Sequence, residues 1–266
     1  MVLLDGQFCE TTFNNYRKTF TTFLSWCVKQ KYILVNPMVD IDILDVPDRK
    51  ILFLTKAEVR NQLDGIDWFV KESNRVNGSN ISSHKESITL ETLVATYIFA
   101  GLRLSEALWL MREDVDLESR TIYIRDKIVD GRKWQVKRGR GKKSRNRDVP
   151  ISDTLFPYLE KQLRQHDFKW VFPSPTGNLW SSGNFSKKLR CMQKQLVDHG
   201  YIEKRWSCKD FRHTFGTLCA MNGMSDLEVA EVMDNSPEIC RKHYINMATK
   251  YLRKKVDFMM GQNAEA

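Results

Sequence analysis

The sequence predicts a mainly α-helical protein with one small antiparallel sheet of three strands. Two observations carry this. Long stretches on both sides of the middle repeat apolar residues at spacings of three and four, the period of a helix with one buried face. Only residues 121–151 break that rhythm, with short alternating or β-branched runs separated by turn residues. The chain contains no internal repeat and no low-complexity tract.

Taken in order, residues 11–31 form an amphipathic helix, with Phe13, Tyr16, Phe20, Phe23, Leu24 and Cys27 on one stripe. Pro37 and the run DVPDRK end that pattern in a charged linker, leaving room for two helices in this piece. A second region opens near Ile51, where Thr55 is suited to cap the helix of LTKAEVRNQL. The polar run NRVNGSNISSHKES reads as a loop. ITLETLVATYIFAG then reads as a strongly apolar helix stopping at Gly101, with LSEALWLMREDV as the next helix. TIYIRDKIV, KWQVKR and SRNRDVPI supply the three strands. Helices return in DTLFPYLEKQLRQH, FSKKLRCMQKQLVDHG, KDFRHTFGTLCAMNG, SDLEVAEVMD and finally PEICRKHYINMATKYLRKKVDFMM.

Composition narrows the function classes. The 266 residues carry 42 Lys and Arg against 33 Asp and Glu, a formal charge of +9. Such an excess favours a polyanionic partner. It is concentrated in residues 132–147, RKWQVKRGRGKKSRNR, where nine of sixteen residues are basic and none is acidic. Lying between strand-like segments, this block suits a hairpin facing phosphates. No apolar run approaches the roughly 18–20 residues that span a bilayer, and MVLLDGQFCETTF lacks the marks of a signal peptide. The expectation is a soluble, intracellular protein with no membrane partner. The six cysteines are scattered, without zinc-site spacing, and read as reduced, mostly buried thiols.

Three polar constellations interrupt the apolar helices. Arg103 follows Gly101-Leu102 at a helix junction, with Glu106 three residues on, where its carboxylate can hold the guanidinium on a shared face. Lys209 and Arg212 share a helical face while Phe211 and Phe215 point to the core, an arrangement that suits a phosphate clamp. Pro237 fits the first turn of a helix capped by Asn235 or Ser236, and Tyr244 follows nine residues after Asn235. Each has a plain structural explanation when taken alone: a surface ion pair, a solvated basic face, a packing tyrosine.

Together, GLRLSEAL, RDVPI, FRHTFGT and the spacing to HYIN resemble the tyrosine recombinase, or phage integrase, family over roughly residues 51–260. The resemblance implies that family's catalytic-domain fold and its reaction, DNA cleavage and rejoining through a 3′-phosphotyrosyl intermediate. Neither ATP nor metal is implied, because the covalent link conserves the bond energy. Tyr244 would be the nucleophile, and Arg103 and Arg212 would bind the scissile phosphate's non-bridging oxygens, with Glu106 supporting. A hairpin lysine would protonate the 5′-oxygen: Lys137 at a strand end, or Lys142 at the spacing of a shorter turn. Arg138, Arg140, Lys142, Lys143 and Arg145 would contact DNA. The chain departs from the family at two positions. Lys209 stands where a histidine is usual, and Asn235 replaces the usual histidine or tryptophan. His213 reads as a packing or DNA-contacting residue rather than a catalytic one.

The resemblance further implies a partial core-binding domain at residues 1–48 and a catalytic domain at 49–266. It implies double-stranded DNA with specific recombination sites as partner, and a homotetramer on paired sites joined through the C-terminal helix. It also implies a cytoplasmic, nucleoid-associated protein of prokaryotic or viral origin. The other readings are a type IB topoisomerase-like enzyme and a DNA-binding derivative with impaired catalysis.

Overall fold

The computed structural model describes residues 9–47, 51–77, 83–136 and 146–245, which fall into two compact units divided after Lys50. In the first unit a single helix, α1 (Glu10–Lys29), is followed by turns and extended chain rather than by a second helix. Lys31 leaves the helix in a left-handed conformation, and Pro37 keeps the next residues from re-entering one. The Asn14 side chain pins the returning chain by bonding both the N–H and the C=O of Leu44, at 2.9 and 2.8 Å. Of the predicted apolar stripe only Cys27 is buried, and Tyr16, Phe20 and Phe23 stand exposed.

The second unit is built around α3 (Ser83–Ala100). Ile88, Leu90, Leu93, Val94, Tyr97 and Ile98 are all buried there. Each contributes about 1.5–3 kcal/mol relative to an exposed position. Against α3 pack α2 (Lys56–Asn77), α5 (Phe156–Gln165) and α7 (Cys208–Met221). α6 (Ser182–Asp198) lies on α2, and α8 (Asp226–Met233) joins α7 to α9 (Pro237–Cys240). The helix starts are chemically marked. Thr55 caps α2 with Glu58 closing a reciprocal box, and Ser207 with Asp210 and Ser225 with Glu228 do the same for α7 and α8. The polar run between α2 and α3 is shorter than expected, because helix extends to Asn77 and resumes at Ser83.

The strands depart from prediction in detail. The run LSEALWLMREDV is not one helix: α4 is short, Leu104–Leu108, and a 3₁₀ turn at Arg112–Asp114 leads into β1 (Val115–Asp116). β1 pairs antiparallel with β2 (Thr121–Ile124), and β2 with β5 (Arg147–Pro150), forming the three-stranded sheet. TIYIRDKIV is not one strand. Arg125 and Asp126 interrupt it, and β3 (Lys127–Val129) forms a separate two-stranded ribbon with β4 (Arg132–Trp134). The reason is local: the Asp126 carboxylate accepts the Val136 N–H at 2.7 Å, while its own N–H is taken by the Asn146 side chain. Asp130-Gly131, both with positive φ, make the tight turn that twisted strands favour. None of the six cysteines is in a disulfide; Cys27 and Cys240 are buried.

Candidate active site

Gly101 ends α3 with φ +61°, and a Cβ there would stand 2.3 Å from the Phe215 ring. Glycine alone satisfies both the backbone and the close approach. The turn it makes delivers Arg103, which is not on a helical face with Glu106 as the spacing suggested. Arg103 is the extended residue just before α4. Its own N–H donates to Glu106 Oε2 at 2.7 Å, and its Nη1 donates to Oε1 at 2.8 Å. The predicted pair therefore exists, through helix-start geometry.

Glu106 is the buried hub of this cluster. The Arg147 fork donates to both of its carboxylate oxygens, at 3.0 and 2.8 Å, and Arg147 Nε donates to the Val232 carbonyl at 3.0 Å. Arg212 Nη1 lies 4.0 Å away. Burial opposes ionisation of Glu106. The hydrogen bonds and charge of Arg147, with those of Arg103, outweigh it and hold the carboxyl down at about 2. Arg147 ends the basic block and opens RDVPI, yet its place in the sequence assigns it no role, although a signal is present: β5 alternates, and Arg147 faces inward with Val149. A charged residue on an inward face requires a partner.

Arg212, on α7, donates to the carbonyls of Gly101 and Met233 and reaches Asn235 Oδ1 at 3.5 Å. Burial, then the charge of Arg103, lowers its pKa to about 10, so it stays cationic at neutral pH. Asp234 closes the ring. It sits in the left-handed region, φ +49°, at the end of α8. Its carboxylate accepts from Arg103 Nη1 at 2.7 Å, and its carbonyl from Nη2. Three arginines thus meet two carboxylates, leaving one positive charge uncompensated within the cluster. Burial and the carboxylates of Glu106 and Asp234 act on Arg103 in opposite senses, and its pKa ends raised.

Tyr244 lies beyond α9, in a one-turn π-helical segment, Arg241–Ile245, a distortion often found where function is. Ser236, not Asn235, supplies the cap of α9. The Tyr244 ring is buried among Ala220, Val229, Ala230, Met233 and Cys240, with Gly216 opposite it. Burial, partly offset by Arg212, raises its pKa to about 12. The hydroxyl lies 3.0 Å from His213 Nδ1. Burial, then the charge of Lys209, pushes His213 down to about 4. His213 therefore packs on the tyrosine itself, a contact the sequence did not reveal.

Arg103, Glu106, Arg212 and Asn235 are contiguous, and Tyr244 joins them through α7. Lys209 is exposed on a cleft of about 700 Å³ that it shares with Arg103, Arg190, Arg205 and Arg212, floored by Leu189 and Trp206. Lys137, Arg138, Arg140, Lys142, Lys143 and Arg145 lie outside the described residues, as does the chain after Ile245.

A mainly helical domain with small antiparallel sheets is the architecture of the tyrosine recombinase structures that this chain resembles, and the family match makes the chain a DNA strand-cleaving and rejoining enzyme. The chain belongs to the phage integrase family, whose profile matches residues 40–250. It is similar to tyrosine recombinase XerC of Halalkalibacterium halodurans, 24% identical over 238 residues, covering 86% of this chain and 69% of the relative. It is likewise similar to tyrosine recombinase XerD of Staphylococcus saprophyticus, 24% identical over 242 residues, covering 89% and 72%. Among solved structures, the Tn1549 transposon integrase in complex with transposon right end DNA has the same fold. Its TM-score is 0.69 at 17% identity, covering 94% of this chain and 80% of that one. The site-specific recombination reaction is the family's. Among the described residues no helix is long and apolar enough to cross a membrane.

Proposed function

We propose that Tyr244 is the nucleophile of this recombinase and that Arg103 and Arg212 bind the scissile phosphate of a double-stranded DNA site. One observation carries the reading: the Tyr244 hydroxyl is held against α7, the helix that carries Arg212, and the guanidinium's charge acts on the phenol. A phosphate diester entering the cluster would replace the Asp234 carboxylate on Arg103 and the backbone carbonyls on Arg212. Planar guanidinium forks suit its non-bridging oxygens, and they stabilise the extra charge of the pentacoordinate transition state.

The phenol oxygen attacks phosphorus as the bond to the 5′-oxygen breaks, leaving a 3′-phosphotyrosyl link and a free 5′-hydroxyl. Lys137 or Lys142 protonates the departing oxygen. Attack by a 5′-hydroxyl from another strand reverses the step and rejoins the DNA. Lys209, exposed on the cleft, and Asn235, beside Arg212, serve as phosphate hydrogen-bond donors. Arg138, Arg140, Lys143 and Arg145 contact the DNA backbone. Residues 1–48 correspond to part of a core-binding domain and 49–266 to the catalytic domain. Four copies assemble on paired sites through the C-terminal segment, in the cytoplasm.

The test is a covalent adduct. Duplexes that the protein retains from a random-sequence pool are rebuilt with a nick that lets the cleaved fragment diffuse away, then incubated with the protein and resolved on a denaturing gel. An adduct from wild type that disappears in Tyr244→Phe is the expected result. No adduct from wild type would favour the impaired DNA-binding derivative, and relaxation of supercoiled DNA without site choice would favour the topoisomerase-like reading.

A further inference from the structure

The family's usual imidazoles are missing from the positions that would move the nucleophile's proton. Lys209 is an exposed ammonium, which donates and does not accept while charged. Asn235 is an amide engaged with Arg212 and the Cys240 thiol, and it has no basic lone pair. A different imidazole touches the phenol. We propose that His213 is the catalytic group that receives the Tyr244 phenol proton, a role that rests on Tyr244 being the nucleophile.

The geometry is that of a base already seated. Nδ1 lies 3.0 Å from the hydroxyl, within direct transfer distance. The two rings are tilted at 53° with centroids 5.8 Å apart. His213 neighbours Arg212 in sequence, so one helix, α7, carries both the phosphate-binding guanidinium and the acceptor. The charged and titratable groups that face His213 are Lys209, Asp210 and Arg212 from α7, and His243 and Tyr244 from the segment after α9. Burial and this cationic surround push the imidazole down to about 4, so in the free protein it is neutral with an open lone pair but a weak base. A bound phosphate reverses the field. Its negative charge offsets Lys209 and Arg212 and strengthens the imidazole as a base while the phenol is attacking.

The step balances. The Oη–H bond breaks, with its proton passing to Nδ1. The freed oxygen pair forms the bond to phosphorus, and the bond from phosphorus to the 5′-oxygen breaks as the hairpin lysine protonates that oxygen. On rejoining, the imidazolium returns its proton to the departing Tyr244 oxygen.

Two experiments test this. The first uses the free protein with ¹⁵N-labelled histidine. NMR should show His213 Nδ1 bare and Nε2 protonated at pH 7, and the Nδ1 signal should move in Tyr244→Phe. A protonated Nδ1 would make His213 the donor to the hydroxyl and overturn the proposal. The second measures single-turnover adduct formation against pH on the selected nicked duplexes. His213→Asn places an amide near the Nδ1 position without a titratable base. It should lower the cleavage rate by about 100-fold or more, with DNA affinity within about threefold of wild type. It should also erase the acidic limb of the pH profile, and a 5′-bridging phosphorothiolate, which removes the need for the acid, should not rescue it. A His213→Asn rate within threefold of wild type with the acidic limb intact overturns the proposal. Should that variant fail to fold, the tautomer measurement decides alone. The parent reading fails differently: wild type then gives no adduct, or the adduct survives Tyr244→Phe, whatever His213 does.

Discussion

Asp234 holds Arg103 by both its side chain and its backbone, the carboxylate 2.7 Å from Nη1 and the carbonyl on Nη2. It does so from a left-handed conformation that L residues other than asparagine and aspartate seldom adopt. The donors it occupies are those that the proposed phosphate contact uses. Asp234→Asn keeps a residue that tolerates this backbone and removes the competing charge. Tighter binding to duplex DNA is expected, with the salt slope steeper by about one phosphate contact. Fluorescence anisotropy at several salt concentrations measures both, and unchanged or weaker binding would contradict the competition.

Glu106 balances three arginines from inside the fold, so its loss is felt by all of them. Glu106→Gln leaves buried guanidinium groups without their carboxylate and should cost on the order of 3–5 kcal/mol in urea unfolding at pH 7. The pH dependence follows from the depressed pKa. The stabilisation is fully present above the ordinary carboxylate value near 4.5 and is lost as pH falls toward about 2. Wild type should therefore lose stability progressively as pH falls from 4.5 to about 2, and Glu106→Gln less so.

Arg147 holds both oxygens of Glu106 and the Val232 carbonyl at once. Lysine keeps the charge but is a single point donor. Arg147→Lys should destabilise by about 1–3 kcal/mol. It should also slow adduct formation more than it weakens DNA binding, because Arg103 loses a fixed carboxylate to lean on. Equal losses in rate and affinity would argue that Arg147 touches DNA directly.

Gly216 makes room for the Tyr244 ring. A Cβ there would stand 2.8 Å from Tyr244 and 2.9 Å from Met233 Sδ. Alanine improves helix propensity by up to ~1 kcal/mol, but overpacking a core costs typically about 1–3 kcal/mol. The net expectation for Gly216→Ala is lower stability, with the Tyr244 hydroxyl displaced from His213. Thermal unfolding and the His213 NMR signal report the two effects separately.

Periodicity and short motifs determined most of the helical fold. The helices around α3 and the cap at Thr55 were legible, because helix period and cap chemistry act within a few residues, whereas Arg103, Glu106, Arg212 and Tyr244 were brought together only by the family resemblance. Strand boundaries were not. Asp126 breaks a β-branched run through bonds to Val136 and Asn146, partners ten and twenty residues away that no local pattern specifies. The same limit hid the site's inner wiring. Arg147 on Glu106, Asp234 on Arg103 and His213 on Tyr244 join residues 31 to 131 positions apart. Such contacts exist only once α4, α7, α8 and β5 have packed and removed the alternatives water would offer. The sequence by itself determined which chemistry the chain carries. Tertiary packing decided which carboxylate answers each arginine, and which imidazole reaches the phenol.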